Sequence, residues 1–236
     1  MAFTWDQQQI DWYRQASDFG SFHQDLALLL LPYLKKEDVL CDWGAGLGRL
    51  SLELAPHLAR VTCIDSDPAV LEALEEEKKK RSMTNLETVR ADAGSLRADC
   101  DVSLMVFFGT PPALMFRCLS QTRRLLIRIM NEEESKKGRE SLSDVEKALQ
   151  ERGCPYEKRL IQLEFGQPFL SLQDVRRYLD AYPPDAPAGP DGLPAGLEQT
   201  GREDYPYYLP KKKQLAALFI RPDCRENPQD IGAFKP

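Results

Sequence analysis

The sequence predicts an α/β fold, a parallel sheet covered on both faces by helices. Two observations carry this. From residue 39 onward, short apolar runs alternate with stretches of helical periodicity, the pattern of repeated βα units. Some runs, such as Val102-Ser-Leu-Met-Val-Phe-Phe108, are almost continuously apolar, as expected of strands buried on both sides.

The elements follow in order. Residues 5–34 read as helix, because Trp12, Ala16, Phe19, Phe22, Leu26, Leu29 and Tyr33 recur at spacings of three and four. Gly20 is placed to split this stretch in two. Val39-Leu-Cys-Asp42 is the first strand, and a helix over residues 50–58 follows it. Val61-Thr-Cys-Ile-Asp65 is the second strand, and Pro68 opens the next helix. Strands are expected over 86–90, 102–108, 125–130, 157–163 and 215–220, with helices at 112–119 and 172–182. Ser143, with Glu146 three residues on, is expected to cap a helix running to Gly153. The stretch Pro183-Pro-Asp-Ala-Pro-Ala-Gly-Pro-Asp-Gly-Leu-Pro194 begins a Pro- and Gly-rich loop through 210, and the residues after Arg221 read as a tail.

These elements divide the chain into a helical cap (1–36), a main α/β domain (37–221) with an insertion at 183–210, and a tail (222–236). At 236 residues the chain is long enough for a substantial core. Lys and Arg number 31 against 37 acids, a net charge of −6, which weighs against binding nucleic acid through a broad basic face. The longest apolar run, Leu26–Leu31, is far short of the ~20 residues of a membrane-spanning helix. The six cysteines include no CxxC pair, and two histidines cannot complete a common zinc-ligand pattern. Reduced structural thiols in a cytoplasmic protein are therefore expected.

The chemistry is concentrated in Val39-Leu-Cys-Asp-Trp-Gly-Ala-Gly-Leu-Gly-Arg-Leu50. A strand runs into a glycine-rich turn and then a helix. Glycines let such a turn approach a ligand closely. The dinucleotide fingerprint GxGxxG is not met, because Arg49 stands where its third glycine belongs. A phosphate loop ending in Gly-Lys-Ser/Thr is also absent.

Asp42-x-Gly44-x-Gly46-x-Gly48, with Ile64-Asp65 ending the second strand and Ala91-Asp92-Ala93 following the third, resembles the class I S-adenosylmethionine-dependent methyltransferases. The resemblance covers residues 39–130 and implies a Rossmann-like fold, with a seven-stranded, mostly parallel sheet and helices on both faces. It implies S-adenosylmethionine as cofactor and S-adenosylhomocysteine as product. Cofactor contacts would fall at Asp42, Gly44, Ala45, Gly46, Gly48, Asp65, Ser66, Asp92, Ala93 and Phe107. Asp65 would accept from the ribose hydroxyls and Asp92 from the adenine amino group. Asp42 would orient the turn or reach the cofactor amino group.

The activity this implies is methyl transfer by in-line displacement. Positioning supplies much of the rate in such a reaction, so no strong catalytic motif is required. A small-molecule acceptor is the leading expectation. An RNA or protein acceptor, or a non-catalytic cofactor-binding or partner subunit, are the alternatives. The Asn/Asp-Pro-Pro-Tyr tetrapeptide of many amino-methyltransferases is only partly echoed by Gly109-Thr-Pro-Pro112. Should the acceptor need to lose a proton, His23, Tyr13 and Glu164 are the candidate bases. The runs Lys78-Lys-Lys-Arg81 and Lys211-Lys-Lys213 read as solvated, the first following Glu75-Glu-Glu77 closely enough to pair with it.

Overall fold

The computed structural model describes residues 5–132, 140–183 and 192–224. The expected alternation is present. Seven strands are ordered β3-β2-β1-β4-β5-β10-β6. They are β1 (Val39–Trp43), β2 (Arg60–Asp65), β3 (Leu86–Arg90), β4 (Cys100–Val106), β5 (Thr122–Asn131), β6 (Tyr156–Glu164) and β10 (Lys212–Ile220). The first five pair in parallel, and β10 runs antiparallel to β5 with Ala216 opposite Met130. This is the seven-stranded, mostly parallel sheet expected of the Rossmann-like methyltransferase fold. The central strands are buried on both faces: Leu40, Val61, Cys63, Val102, Leu104, Ile127 and Leu218 are wholly inaccessible.

Helices join the parallel strands. Gly20 does separate α1 (Gln7–Phe19) from α2 (Phe22–Leu30). Asp6 caps α1 in a capping box with Gln9. Helix α3 (Arg49–Leu54) follows β1 and stops earlier than its periodicity suggested, because Pro56 tightens the chain into a short 3-10 turn. Asp67 caps α4 (Pro68–Lys80), whose Pro68 takes the first position. Helix α5 (Pro112–Leu119) follows β4. The cap of α6 (Leu142–Glu151) is Ser141, not Ser143, and Asp144 closes the box. Both serines precede an acid by three residues, and the earlier one wins because Leu142 and Val145 are then buried.

By chain contacts the molecule divides into two units. One holds residues 26–161 and 214–236, the other residues 1–25 and 162–213. The second contains three short strands missed by the sequence reading: β7 (Gln167–Phe169), β8 (Glu198–Gln199) and β9 (Tyr207–Leu209), ordered β7-β9-β8. They frame α7 (Leu172–Ala181). Trp12 is buried here, its indole nitrogen donating to Asp174 at 3.1 Å and its ring meeting Tyr178 edge-on. The aromatic stripe of α1 is thus a packing stripe. Part of the Pro-rich loop (184–191) and most of the tail (225–236) lie outside the described residues.

The thiols depart from expectation. Cys154 and Cys224 form a disulfide, while Cys41, Cys63, Cys100 and Cys118 are free and buried. Sequence spacing offered no clue, since the partners are 70 residues apart. They meet because the chain after β10 returns to the start of β6, where the Arg221 amide donates to the Pro155 carbonyl at 3.0 Å.

Candidate cofactor site

The residues singled out around the glycine turn gather at the carboxyl ends of β1, β2, β3 and β4, the rim where open α/β sheets place their ligands. Gly44, Gly46 and Gly48 have φ of +70°, +53° and +59°, a region L residues seldom adopt. Space is equally restrictive. A Cβ on Gly44 would lie 2.2 Å from the Phe108 ring, and one on Gly48 would lie 2.6 Å from Leu74. The turn is tied to the next strand, since the Gly44 and Ala45 amides both donate to the Ile64 carbonyl, at 2.9 and 3.0 Å.

Asp65 ends β2 half-buried. Its Oδ2 accepts from the Gly46 amide at 2.8 Å and its Oδ1 from the Asp67 amide at 2.9 Å. A carboxylate oxygen has two acceptor positions, so each retains capacity for a ligand hydroxyl. Ser66 beside it is exposed. Asp92 is exposed after β3 and accepts from the Gly94 amide at 2.8 Å, while Ala93 is buried. Phe107 follows β4 with φ of +51°, an uncommon conformation for a bulky residue.

Asp42 is only 4% exposed and accepts the Ser51 hydroxyl at 2.7 Å. It therefore ties β1 to α3. Burial pushes its carboxyl up to about 7, with Ser51 opposing the rise and the Asp65 charge adding to it. Arg49, where a dinucleotide-binding turn would have glycine, is buried with its guanidinium 3.7 Å from Glu77 on α4. The basic run on α4 is paired locally, Lys78 with Glu75 and Lys80 with Glu77.

The candidate bases all fall in the other unit. Tyr13 Oη lies 3.1 Å from His23 Nε2, and His23 is 4% exposed against the edge of Phe165. Glu164 accepts the Tyr208 hydroxyl at 2.7 Å, and Tyr208 stacks on Phe19. Tyr208 thus pins its segment to α1. Sequence reasoning missed Lys213, which sits over the Phe22 and Phe165 rings. Burial, followed by the charge of Lys211, pulls its ammonium down to about 8. Its place in a run of three lysines disguised it as a solvated residue. Among the described residues no cluster of His, Cys, Asp or Glu could hold a metal.

Residues 40–127 match a family model described as a methyltransferase domain. Over 60 residues, a quarter of this chain, the sequence is 30% identical to a probable ribosomal RNA small subunit methyltransferase A from Methanosphaera stadtmanae. That stretch spans 22% of the length of this relative. Among solved structures, the YcgJ protein of Bacillus subtilis superposes with a TM-score of 0.59 at 14% identity, covering 87% of this chain and all of that one. The magnesium protoporphyrin IX methyltransferase of Synechocystis PCC 6803, crystallised with S-adenosylmethionine, gives 0.54 at 13% identity, covering 94% and 86%. At such identities these superpositions speak for the fold.

Proposed function

We propose that residues 40–127, which match a methyltransferase domain, bind S-adenosylmethionine in the class I manner, and that the protein transfers the cofactor's sulfonium methyl to a small-molecule acceptor. One observation carries the reading: Gly44 and Gly48 leave no room for a Cβ, and the acceptor oxygens of Asp65 and Asp92 stand on the same rim. S-adenosylmethionine suits this acceptor set, because its ribose hydroxyls and adenine amino group are donors and its sulfonium is positive. Asp65 would hold the ribose, Asp92 and the Ala93 amide the adenine, and the turn the methionine portion. Asp42 would act through Ser51 and α3, keeping the turn in place. When bound, the cofactor supplies an activated methyl group, and the chain's own task is to orient an acceptor in line with it.

His23, hydrogen-bonded to Tyr13, is the proposed base where the acceptor must lose a proton, and Glu164 is the second candidate. A bell-shaped or sigmoidal pH–rate profile lost in His23→Gln would support this assignment. The net charge of −6 and the likeness to a porphyrin methyltransferase support a small acceptor. The match to a ribosomal RNA enzyme favours an RNA acceptor as the second reading. Titration calorimetry with S-adenosylhomocysteine tests the cofactor, and absence of binding ends the proposal. Methyl transfer to RNA, with binding that falls steeply as salt rises, would replace the first acceptor by the second. A cytoplasmic location goes with either acceptor, although the Cys154–Cys224 bond weighs towards a more oxidising compartment.

A further inference from the structure

One charged cluster on the same sheet rim has no part in the assignments above. Arg128 on β5 is 2% exposed, and its Nη2 donates to the Thr110 carbonyl at 3.2 Å. The same nitrogen pairs with Glu140, whose side chain is also buried. Burial holds the Arg128 guanidinium below its ordinary pKa, and burial likewise pushes the Glu140 carboxyl up. Among the described residues, Thr110 Oγ1, Arg128 Nη1 and Glu140 Oε1 are buried with no hydrogen-bond partner.

Such a pair is a poor stabilising device. Desolvation of two charges offsets their attraction, and each unmade hydrogen bond adds a cost. What the pair achieves is local. It fixes the Thr110 carbonyl, two residues beyond Phe108, whose ring fills the space a Gly44 side chain would need. The other end of this segment is held by the same strand, since the Phe107 amide donates to the Ile129 carbonyl at 2.9 Å. Between these two anchors the chain takes the unusual φ of +51° at Phe107.

We propose that Arg128, backed by Glu140, is a positioning residue that clamps residues 107–110 to β5 and thereby holds Phe108 against the glycine turn. Its effect on cofactor affinity rests on the proposed function. The clamp itself does not.

The test compares wild type with R128M/E140L, which removes both charges, and with R128K, which keeps both charges and loses the planar fork. Amide hydrogen exchange over residues 44–48 and 107–112 is measured without ligand, beside melting temperature and the Kd for S-adenosylhomocysteine. In R128M/E140L exchange in both segments should quicken at least tenfold and Kd should rise at least tenfold, while the melting temperature holds or rises. R128K should fall between. Unchanged exchange in the two segments overturns the clamp, and quickened exchange with Kd within twofold of wild type overturns its role in the pocket. Should the double variant not fold, R128K carries the same readouts. Wild type that fails to bind S-adenosylhomocysteine counts against the proposed function alone, and the exchange comparison still decides the clamp.

Discussion

Asp65 and Gly46 are joined across the turn, the carboxylate of one accepting the amide of the other at 2.8 Å. The residue assigned to the ribose therefore also holds the glycine turn in shape. The two roles separate by substitution. Asp65→Asn keeps an acceptor but loses the charge, and should raise the Kd for S-adenosylhomocysteine about tenfold, since hydrogen bonds to a charged group contribute about 1.5–3 kcal/mol. Asp65→Ala should raise it further. Calorimetry measures both, and an Asp65→Ala protein with wild-type affinity would remove Asp65 from the ribose.

Gly44→Ala meets two penalties at once, a φ of +70° and a Cβ inside the Phe108 ring. Loss of about 1–3 kcal/mol of stability is expected from the strain, with a further loss of affinity as Phe108 shifts. Thermal melts check the first part. Gly109→Ala, with open space around its Cβ position, is the control and should melt near wild type.

The raised pKa of Asp42 gives stability a definite pH dependence. Its folded value, about 7, stands above the ordinary carboxyl value. Between the two, the folded state binds the extra proton. Stability from this group is therefore fully present at low pH and is lost as pH rises towards 7, by at most about 1.4 kcal/mol per pH unit. Asp42→Asn should flatten the curve of melting temperature over that interval. An unchanged slope would argue against a carboxyl held protonated by burial.

Lys213 behaves in the opposite sense. Its ammonium is pulled down to about 8, so the folded state sheds its proton first as pH rises. Stability should increase as pH rises from about 8 towards the ordinary lysine value near 10.4. Lys213→Met keeps the stem that packs on Phe22 and Phe165, and should melt higher than wild type at pH 7. A lower melting temperature would mean the charge contributes more over the rings than its burial costs.

The disulfide makes a chemical prediction. Denatured without reductant, the protein should take up alkylating reagent at four cysteines, and after reduction at six. Six labels without reductant would return all the thiols to the state expected from composition.

Much of this architecture is legible in the residues themselves. Leu86–Arg90 was readable as a strand to the residue, because Asn85 and Asp92, both turn formers, flank it. The glycine turn was legible because its signature is local: three glycines within five residues, directly after an apolar run. What escaped depends on distant partners. The strand β9 takes its pairing from Gln167–Phe169 on one side and Glu198–Gln199 on the other, and three-residue segments carry no periodicity of their own. Ser141 outcompeted Ser143 because burial of Leu142 sets the helix phase, a choice made by the sheet and not by the cap. Arg128 reads in the sequence as an interruption of an apolar strand, and only the fold brings Thr110 and Glu140 to it.

The bond between Cys154 and Cys224 has one more consequence, in covalent topology. The chain that leaves the sheet along β6 and returns along β10 lies between the two joined cysteines. A protease that cuts once anywhere in that span leaves two fragments tethered to each other. They would migrate as one species until reductant is added, so a nick in the Pro-rich stretch would separate no part of the molecule from the rest.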